Sequence, residues 1–180
     1  SVPVFWIGLL LILCFSVNLA FFPSGGIIDP QSPSSGAGYV FDVFRHSILP
    51  WTTLMIWNFP GYQRVTKASI LEVMREDYIT TARSKGLDQN AVFYKHALRN
   101  AILPGVSLIG LWLGYVLIGV LLVEIVFGWP GMGRLIYQAV TWRDYNLVMG
   151  TFIISSILVL AASLITDLTY SRLDPRVVYE

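Results

Sequence analysis

Four stretches of nearly uncharged, apolar residues restrict what this chain can fold into. They cover residues 3–22, 47–62, 101–124 and 146–166. A transmembrane helix needs about 20 mostly apolar residues, and helices are the expected form because backbone groups find no water partner in lipid. The second stretch is the weakest, since it is short and broken by Pro50 and Pro60, and its helix is predicted to continue past the membrane into residues 64–67. Residues 23–46 have the Gly, Ser and Pro content of a loop, including the run Ser24-Gly25-Gly26. We therefore predict an all-α membrane protein with about four transmembrane helices in one domain over residues 1–180.

The composition argues against an ordinary soluble domain. Only 13% of the residues are charged and 55% are hydrophobic, whereas soluble domains carry about 25% charged residues. A soluble fold of 180 residues leaves too much surface exposed to hide so many apolar side chains. The net charge of +1 gives no electrostatic reason to expect a nucleic-acid partner. Cys14, the single cysteine, lies in an apolar run and is interpreted as a small hydrophobic residue.

The distribution of Lys and Arg predicts the orientation in the membrane, because cytoplasmic loops are enriched in these residues. The connection over residues 63–100 and the C-terminal tail hold nine of the 12 Lys and Arg residues. Two spans separate these two regions, so both fall on the same side, which we predict to be the cytoplasm. The nine are Arg64, Lys67, Arg75, Arg83, Lys85, Lys95, Arg99, Arg172 and Arg176, and the three in the other loops are Arg45, Arg134 and Arg143.

Residues 75–100 have the pattern of two short helices joined by a glycine, and we call this segment the elbow. In its first half, acidic Glu76 and Asp77 precede basic Arg83 and Lys85, which is the order that a helix dipole favours. Gly86 then fits the left-handed position that follows a helix end. The first helix is therefore predicted to stop at this glycine.

The second half of the elbow begins with its own helix signal. Leu87 is placed to pack back against Ala82 of the first helix, and Asp88 is a favourable N-cap for the second helix. Val92, Phe93 and Tyr94 give that second helix apolar and aromatic surface near the tip. A short rigid helix of this kind suits a groove on a partner protein.

Two blocks of the elbow carry a specific resemblance. Residues 77–87 (DYITTARSKGL) and 96–104 (HALRNAILP) resemble the coupling loop of the dipeptide, oligopeptide and nickel ABC importer permeases. The wider ABC importer pattern has Glu-Ala-Ala, three residues, Gly, nine residues and then Ile-x-Leu-Pro. Thr80-Thr81-Ala82 at the first block and His96 to Arg99 at the second are closer to the peptide importers than to the sugar importers.

Other segments agree with this resemblance. Residues 122–135 (LVEIVFGWPGMGRL) are similar to the family's segment after its penultimate span, and residues 143–145 and 173–176 are also family-like. Residues 1–6 resemble the start of a middle span. The family's permeases have six spans, so we expect an N-terminally truncated chain from which two earlier spans are missing.

The resemblance implies a type I ABC importer permease fold with a cytoplasmic coupling helix, within a coupling loop over about residues 64–100. It implies partners: a second homologous permease subunit, two cytoplasmic ATPase subunits, an extracytoplasmic solute-binding protein and membrane lipid. ATP and Mg²⁺ would be bound by the ATPases and no cofactor by this chain. The residues implied in ATPase coupling are Thr80, Thr81, Ala82, Arg83, Gly86, Leu87, Asp88, Val92, Phe93, His96 and Leu98.

The resemblance also implies an external loop near the translocation pathway, made by Glu124, Trp129, Pro130, Gly131, Gly133 and Arg134. From the residues alone, Glu124 has two interpretations. It is either a functional carboxylate within the membrane, or a structural one at the interface that pairs with a donor in this loop. The glycines do not form a phosphate loop, because the Lys-Ser/Thr ending and the preceding strand are missing.

Two other functional classes remain as alternatives. A secondary transporter or channel needs ionisable residues near the membrane midplane to couple ions, and the apolar stretches offer almost none. An intramembrane enzyme needs a catalytic constellation. The two histidines, His46 and His96, fall on opposite sides of the membrane in the predicted topology, and no metal-protease or nucleophile-elbow motif is present.

Overall fold

The computed structural model describes residues 2–31, 35–118 and 120–173. These residues form nine α-helices and no strand, so the all-α prediction is confirmed. Two of the helices continue as π-helical turns. The helices are α1 (Val4–Leu11, continuing as π-helix over Ile12–Asn18), α2 (Ala37–Val73), α3 (Asp77–Ser84), α4 (Gln89–Ala91, continuing as π-helix over Val92–Ala97), α5 (Leu98–Ala101), α6 (Leu103–Ile118), α7 (Leu121–Val126), α8 (Met132–Thr141) and α9 (Tyr145–Leu173).

The first apolar stretch is helical over a shorter range than predicted. Helical structure ends at Asn18 rather than at residue 22. Ala20 has a left-handed φ of 51°, and the amides of Phe21 and Phe22 both donate back to the carbonyl of Phe15, at 2.9 and 3.3 Å. The helix therefore ends, and the chain turns, before the end of the apolar stretch at residue 22.

The second stretch forms a helix that continues beyond the membrane segment, as predicted, and extends further than predicted at both ends. Helix α2 begins at Ala37, inside the segment interpreted as a loop, and continues through Pro50 and Pro60 to Val73. Proline removes one helical hydrogen bond and usually kinks or ends a helix. Here the hydroxyls of Thr52 and Thr53 donate to carbonyls one turn earlier, at 2.7 and 2.8 Å. These bonds go to the carbonyls of Ile48 and Leu49, so they hold both threonine side chains against the helix directly after Pro50.

The third stretch is divided. Helix α6 ends at Ile118 and α7 begins at Leu121. Val120, directly before α7, has φ −104° and ψ 84°, which is not a helical conformation. The predicted continuous span over residues 101–124 is therefore wrong. Glu124, placed by the sequence at the end of a long helix, lies instead in the short helix α7.

The fourth stretch fits a membrane span best. Within the described ranges, the segment Tyr145–Thr169 of α9 is the one helix with both the length and the apolar composition to cross a bilayer. Val4–Asn18 and Leu103–Val116 are apolar but shorter. Much of α9 is covered with large exposed side chains such as Phe152, Leu160 and Leu164, which suits a helix whose outer face meets hydrocarbon.

The chain divides into two compact units. The first contains residues 1–59 and 115–158, and the second contains residues 60–114 and 159–180. The first unit is centred on Val4, Leu49, Val123 and Phe127, which are all buried.

In the second unit, a smaller buried cluster lies inside the elbow. The same unit brings α6 and α9 into close contact, because a Cβ at Gly110 would overlap the side chain of Thr166. The missing side chain at Gly110 therefore allows the two helices to approach closely.

Candidate functional site

The elbow is built by α3, the turn at residues 85–88 and α4. Gly86 has φ +76°, the left-handed conformation that the sequence predicted, and its amide donates to the carbonyl of Arg83 at 2.9 Å. Asp88 caps α4, because its carboxylate accepts from the amide of Asn90 at 3.2 Å. Both helix boundaries of the elbow are thus set by the predicted residues.

A small core holds the two halves of the elbow together. Ile79 and Ala82 of α3 are buried against Val92 and Ala97 of the second helical segment. Val92 was expected on the exposed surface near the tip. It is only 1% exposed, so it belongs to the interior of the elbow instead. This role could not be predicted from the sequence, since residues 79 and 92 belong to separate local patterns.

The packing around Ala82 also differs from expectation. Val73 and Met74 pack against the buried cluster that contains Ala82, whereas Leu87 is 44% exposed. Leu87 is therefore an outward-facing apolar side chain at the turn. It adds to the surface available to a partner.

A hydrogen bond outside the predicted set ties the ends of the elbow. The side-chain amide of Asn100 donates to the hydroxyl of Tyr78 at 2.9 Å. Together with the buried cluster, this bond links the two halves of the elbow.

The predicted coupling residues are mostly on the surface of this body. Buried Ala82 and Val92 are the exceptions, Phe93 and Leu98 are half-buried, and the side chain of His96 lies outside the described residues. Tyr94 is 67% exposed and makes an edge-to-face contact with Phe93. The exposed residues of the set are Thr80, Thr81, Arg83, Gly86, Leu87 and Asp88.

A second arrangement lies in the other unit, where a buried carboxylate holds the start of α8. Glu124 is 7% exposed. Its two carboxylate oxygens accept from the backbone amides of Gly133, at 3.4 Å, and Arg134, at 2.6 Å. We call this the carboxylate clasp. The predicted pairing of Glu124 with a donor in the following loop is found, and the donors are main-chain amides at a helix N-terminus, where negative charge is favoured.

The glycines of this loop make room for the clasp. A Cβ at Gly131 would overlap the Glu124 carboxylate, and a Cβ at Gly133 would come within 3.0 Å of the backbone of Leu121. The amide of Trp129 donates to the carbonyl of Glu124 at 2.8 Å. Pro130 and the Arg134 side chain are exposed.

The loop after α1 docks on the same turn, which the sequence did not predict. The amide of Gly26 donates to the carbonyl of Phe127 at 2.8 Å. A Cβ at Gly25 would lie 2.8 Å from that carbonyl oxygen, so only glycine fits there. The Ser24-Gly25-Gly26 run was the available signal, and it was interpreted only as loop composition.

Comparison with known proteins identifies the class. The model of the family described as "binding-protein-dependent transport system inner membrane component" matches residues 1–179. The chain belongs to this family of membrane permeases, as its resemblance to the ABC importer permeases predicted.

Individual relatives of this chain are named as peptide permeases. The oligopeptide transport system permease protein AppB of Bacillus subtilis is 40% identical over 179 residues, covering 99% of this chain and 55% of that protein. The dipeptide transport system permease proteins DppB of Alkalihalophilus pseudofirmus and of Escherichia coli K12 are 37% and 38% identical, covering 99% and 98% of this chain. The chain spans 55–58% of the length of these relatives.

Proposed function

We propose that this chain is part of a permease subunit of an ATP-driven importer that forms a translocation pathway for peptides or similarly small solutes. The observation that carries the proposal is the family match over nearly the whole chain, together with relatives named as peptide permeases at 37–40% identity. In this proposal the chain has about four spans and hydrolyses nothing itself.

The elbow is the proposed contact with the ATPases. Its tip is exposed from Arg83 to Asn90, while its interior is closed by Ile79 and Val92. A rigid, exposed helical tip suits insertion into a groove on a partner. ATP-driven closure of the partner would then move the elbow and shift the permease between inward-open and outward-open states.

The remaining partners follow from the same proposal. The chain would pair with a second homologous permease, bind two cytoplasmic ATPases that hold ATP and Mg²⁺, and receive solute from an extracytoplasmic binding protein. The loop from Glu124 to Arg134 would lie on the outer side near the pathway. The clasp gives this loop a fixed shape, which suits a position where solute enters.

ATP-driven uptake tests this function against the secondary-transporter alternative. The full-length permease, produced with the permease and ATPase subunits encoded beside it, is reconstituted in liposomes and supplied with its binding protein. We expect uptake of a labelled peptide, and this uptake should require ATP on the side of the membrane that the ATPase subunits face. Uptake that runs on an ion gradient without ATP would contradict the proposal.

The junction of α8 and α9 has the composition of a membrane boundary. Tyr137, Trp142 and Tyr145 are 55%, 72% and 77% exposed and lie directly before the long apolar segment Tyr145–Thr169. Exposed Trp and Tyr are enriched at the membrane interface. We infer that the outer membrane boundary lies at this junction.

Cysteine labelling tests that orientation. In a Cys14→Ser background, Thr141→Cys is expected to react with a membrane-impermeant maleimide in intact cells, while Lys85→Cys reacts only after permeabilisation. Both positions are exposed, so a difference in labelling reports sidedness. Labelling of Lys85→Cys in intact cells would show that the elbow is not in the cytoplasm, and this would contradict the coupling role.

A further inference from the structure

A cavity of about 150 Å³ lies beside the carboxylate clasp, within the first unit of the chain. Its volume would hold a small organic head group, since one water occupies about 30 Å³ of liquid. Valine, leucine and proline residues make up much of the lining, together with Ser47, two tryptophans and Glu124. The lining residues are Ser47, Pro50, Trp51, Leu54, Val116, Val120, Val123, Glu124 and Trp129.

Glu124 leaves uncompensated negative charge at this cavity. The start of α8 offsets part of the carboxylate charge through two amides, and a helix N-terminus is equivalent to about +0.5 elementary charge. Among the described residues, no Lys, Arg or His side chain forms an ion pair with Glu124. A buried charge of this kind favours a cation from outside.

The rest of the wall suits a cation that carries carbon. The indole face attracts ammonium groups, and tryptophan is the best of the aromatic side chains for this. Trp51 and Trp129 both line the cavity.

A metal ion fits less well. Ca²⁺ requires six to eight oxygen ligands, and the cavity wall is mainly apolar. An anion would be repelled by the carboxylate. We propose that this cavity binds the primary ammonium group of a small organic cation, with Glu124 as the charged partner and Trp51 and Trp129 as the aromatic walls.

This inference rests on the proposed function and makes it more specific. A peptide with a free amino end presents such an ammonium group, so the cavity would hold the amino terminus of a peptide at the outer end of the pathway. The site would favour free peptides over N-acetylated ones at the permease itself.

The test measures ammonium binding to the full-length permease in lipid nanodiscs. The probe is n-propylammonium chloride, followed by the intrinsic tryptophan fluorescence that Trp51 and Trp129 contribute, with propan-1-ol and NaCl as matched controls. We expect a saturable change with the ammonium salt alone. Glu124→Gln keeps an acceptor for the clasp but removes the charge, and should weaken the apparent affinity at least tenfold.

A second variant keeps the proposal testable if Glu124→Gln is unstable. Trp51 is 51% exposed, so Trp51→Leu should fold normally and weaken propylammonium binding several-fold. An equal response to propan-1-ol, or unchanged ammonium affinity in folded Glu124→Gln or Trp51→Leu, would overturn the site.

The outcomes separate this site from the transport function. Wild-type permease that shows ATP-driven peptide uptake but no propylammonium binding would remove the site and leave the importer intact. Propylammonium binding without ATP-driven uptake would support the site and contradict the importer function.

Discussion

A Gly86→Val permease is expected to reach the membrane in normal amounts but to lose peptide uptake and co-purification with its ATPases. Gly86 has φ +76°, and a left-handed conformation costs an ordinary L-residue about 1–2 kcal/mol, with β-branched residues among the least tolerant. Such a cost lowers the ratio of correctly formed to disrupted elbow by a factor of about 5–30. No heavy atom lies within 4 Å of a Cβ built at Gly86, so the effect is conformational and not a clash.

The matched control is Gly86→Asn. Asparagine tolerates the left-handed region better than other non-glycine residues, so this variant should keep most of the uptake and ATPase binding. The measurements are labelled-peptide uptake in cells and pull-down of the ATPases with the tagged permease. Wild-type behaviour of Gly86→Val in both assays would contradict the coupling role of the elbow.

Gly131→Ala is expected to destabilise the outer loop and lower peptide uptake. A Cβ at residue 131 would overlap the Glu124 carboxylate and push it away from the amides of Gly133 and Arg134. Overpacking of this kind costs about 1–3 kcal/mol. The apparent Tm of the detergent-solubilised permease should therefore be lower than that of the wild type.

Gly150→Ala provides the control for that prediction. Gly150 lies in α9 and has no heavy atom within 4 Å of an added Cβ, and alanine is favoured over glycine in a helix by about 0.5–1 kcal/mol. This variant should therefore be neutral or slightly more stable. Equal Tm values for wild type and Gly131→Ala would mean that the clasp yields easily and does not fix the loop.

The sequence predicted the ends of the elbow well because those signals are local. Gly86 acts through its own backbone conformation, and Asp88 caps an amide two residues away. The interior was missed because the contact between Ile79 and Val92 depends on how the two halves fold onto each other. The exposed position of Leu87 has the same origin, since Val73 and Met74 from the preceding segment pack against the cluster instead.

Helix limits were predicted less well, for reasons outside the local pattern. Pro50 and Pro60 suggested breaks, but α2 continues through both. The apolar run over residues 101–124 suggested one span, but the backbone leaves helical geometry at Val120. At the candidate outer site, pairing of Glu124 with the following loop was predictable from their proximity in sequence. The choice of main-chain amides as partners depended on where α8 begins.

The closed interior of the elbow determines how motion would pass through it. A segment that becomes ordered only when gripped spends part of the interaction free energy on that ordering. The elbow already has Ile79 and Val92 in contact and its ends joined through Tyr78 and Asn100. A partner that pulls on its tip would therefore move the elbow largely as one unit. Most of that movement would then reach the helices of the permease.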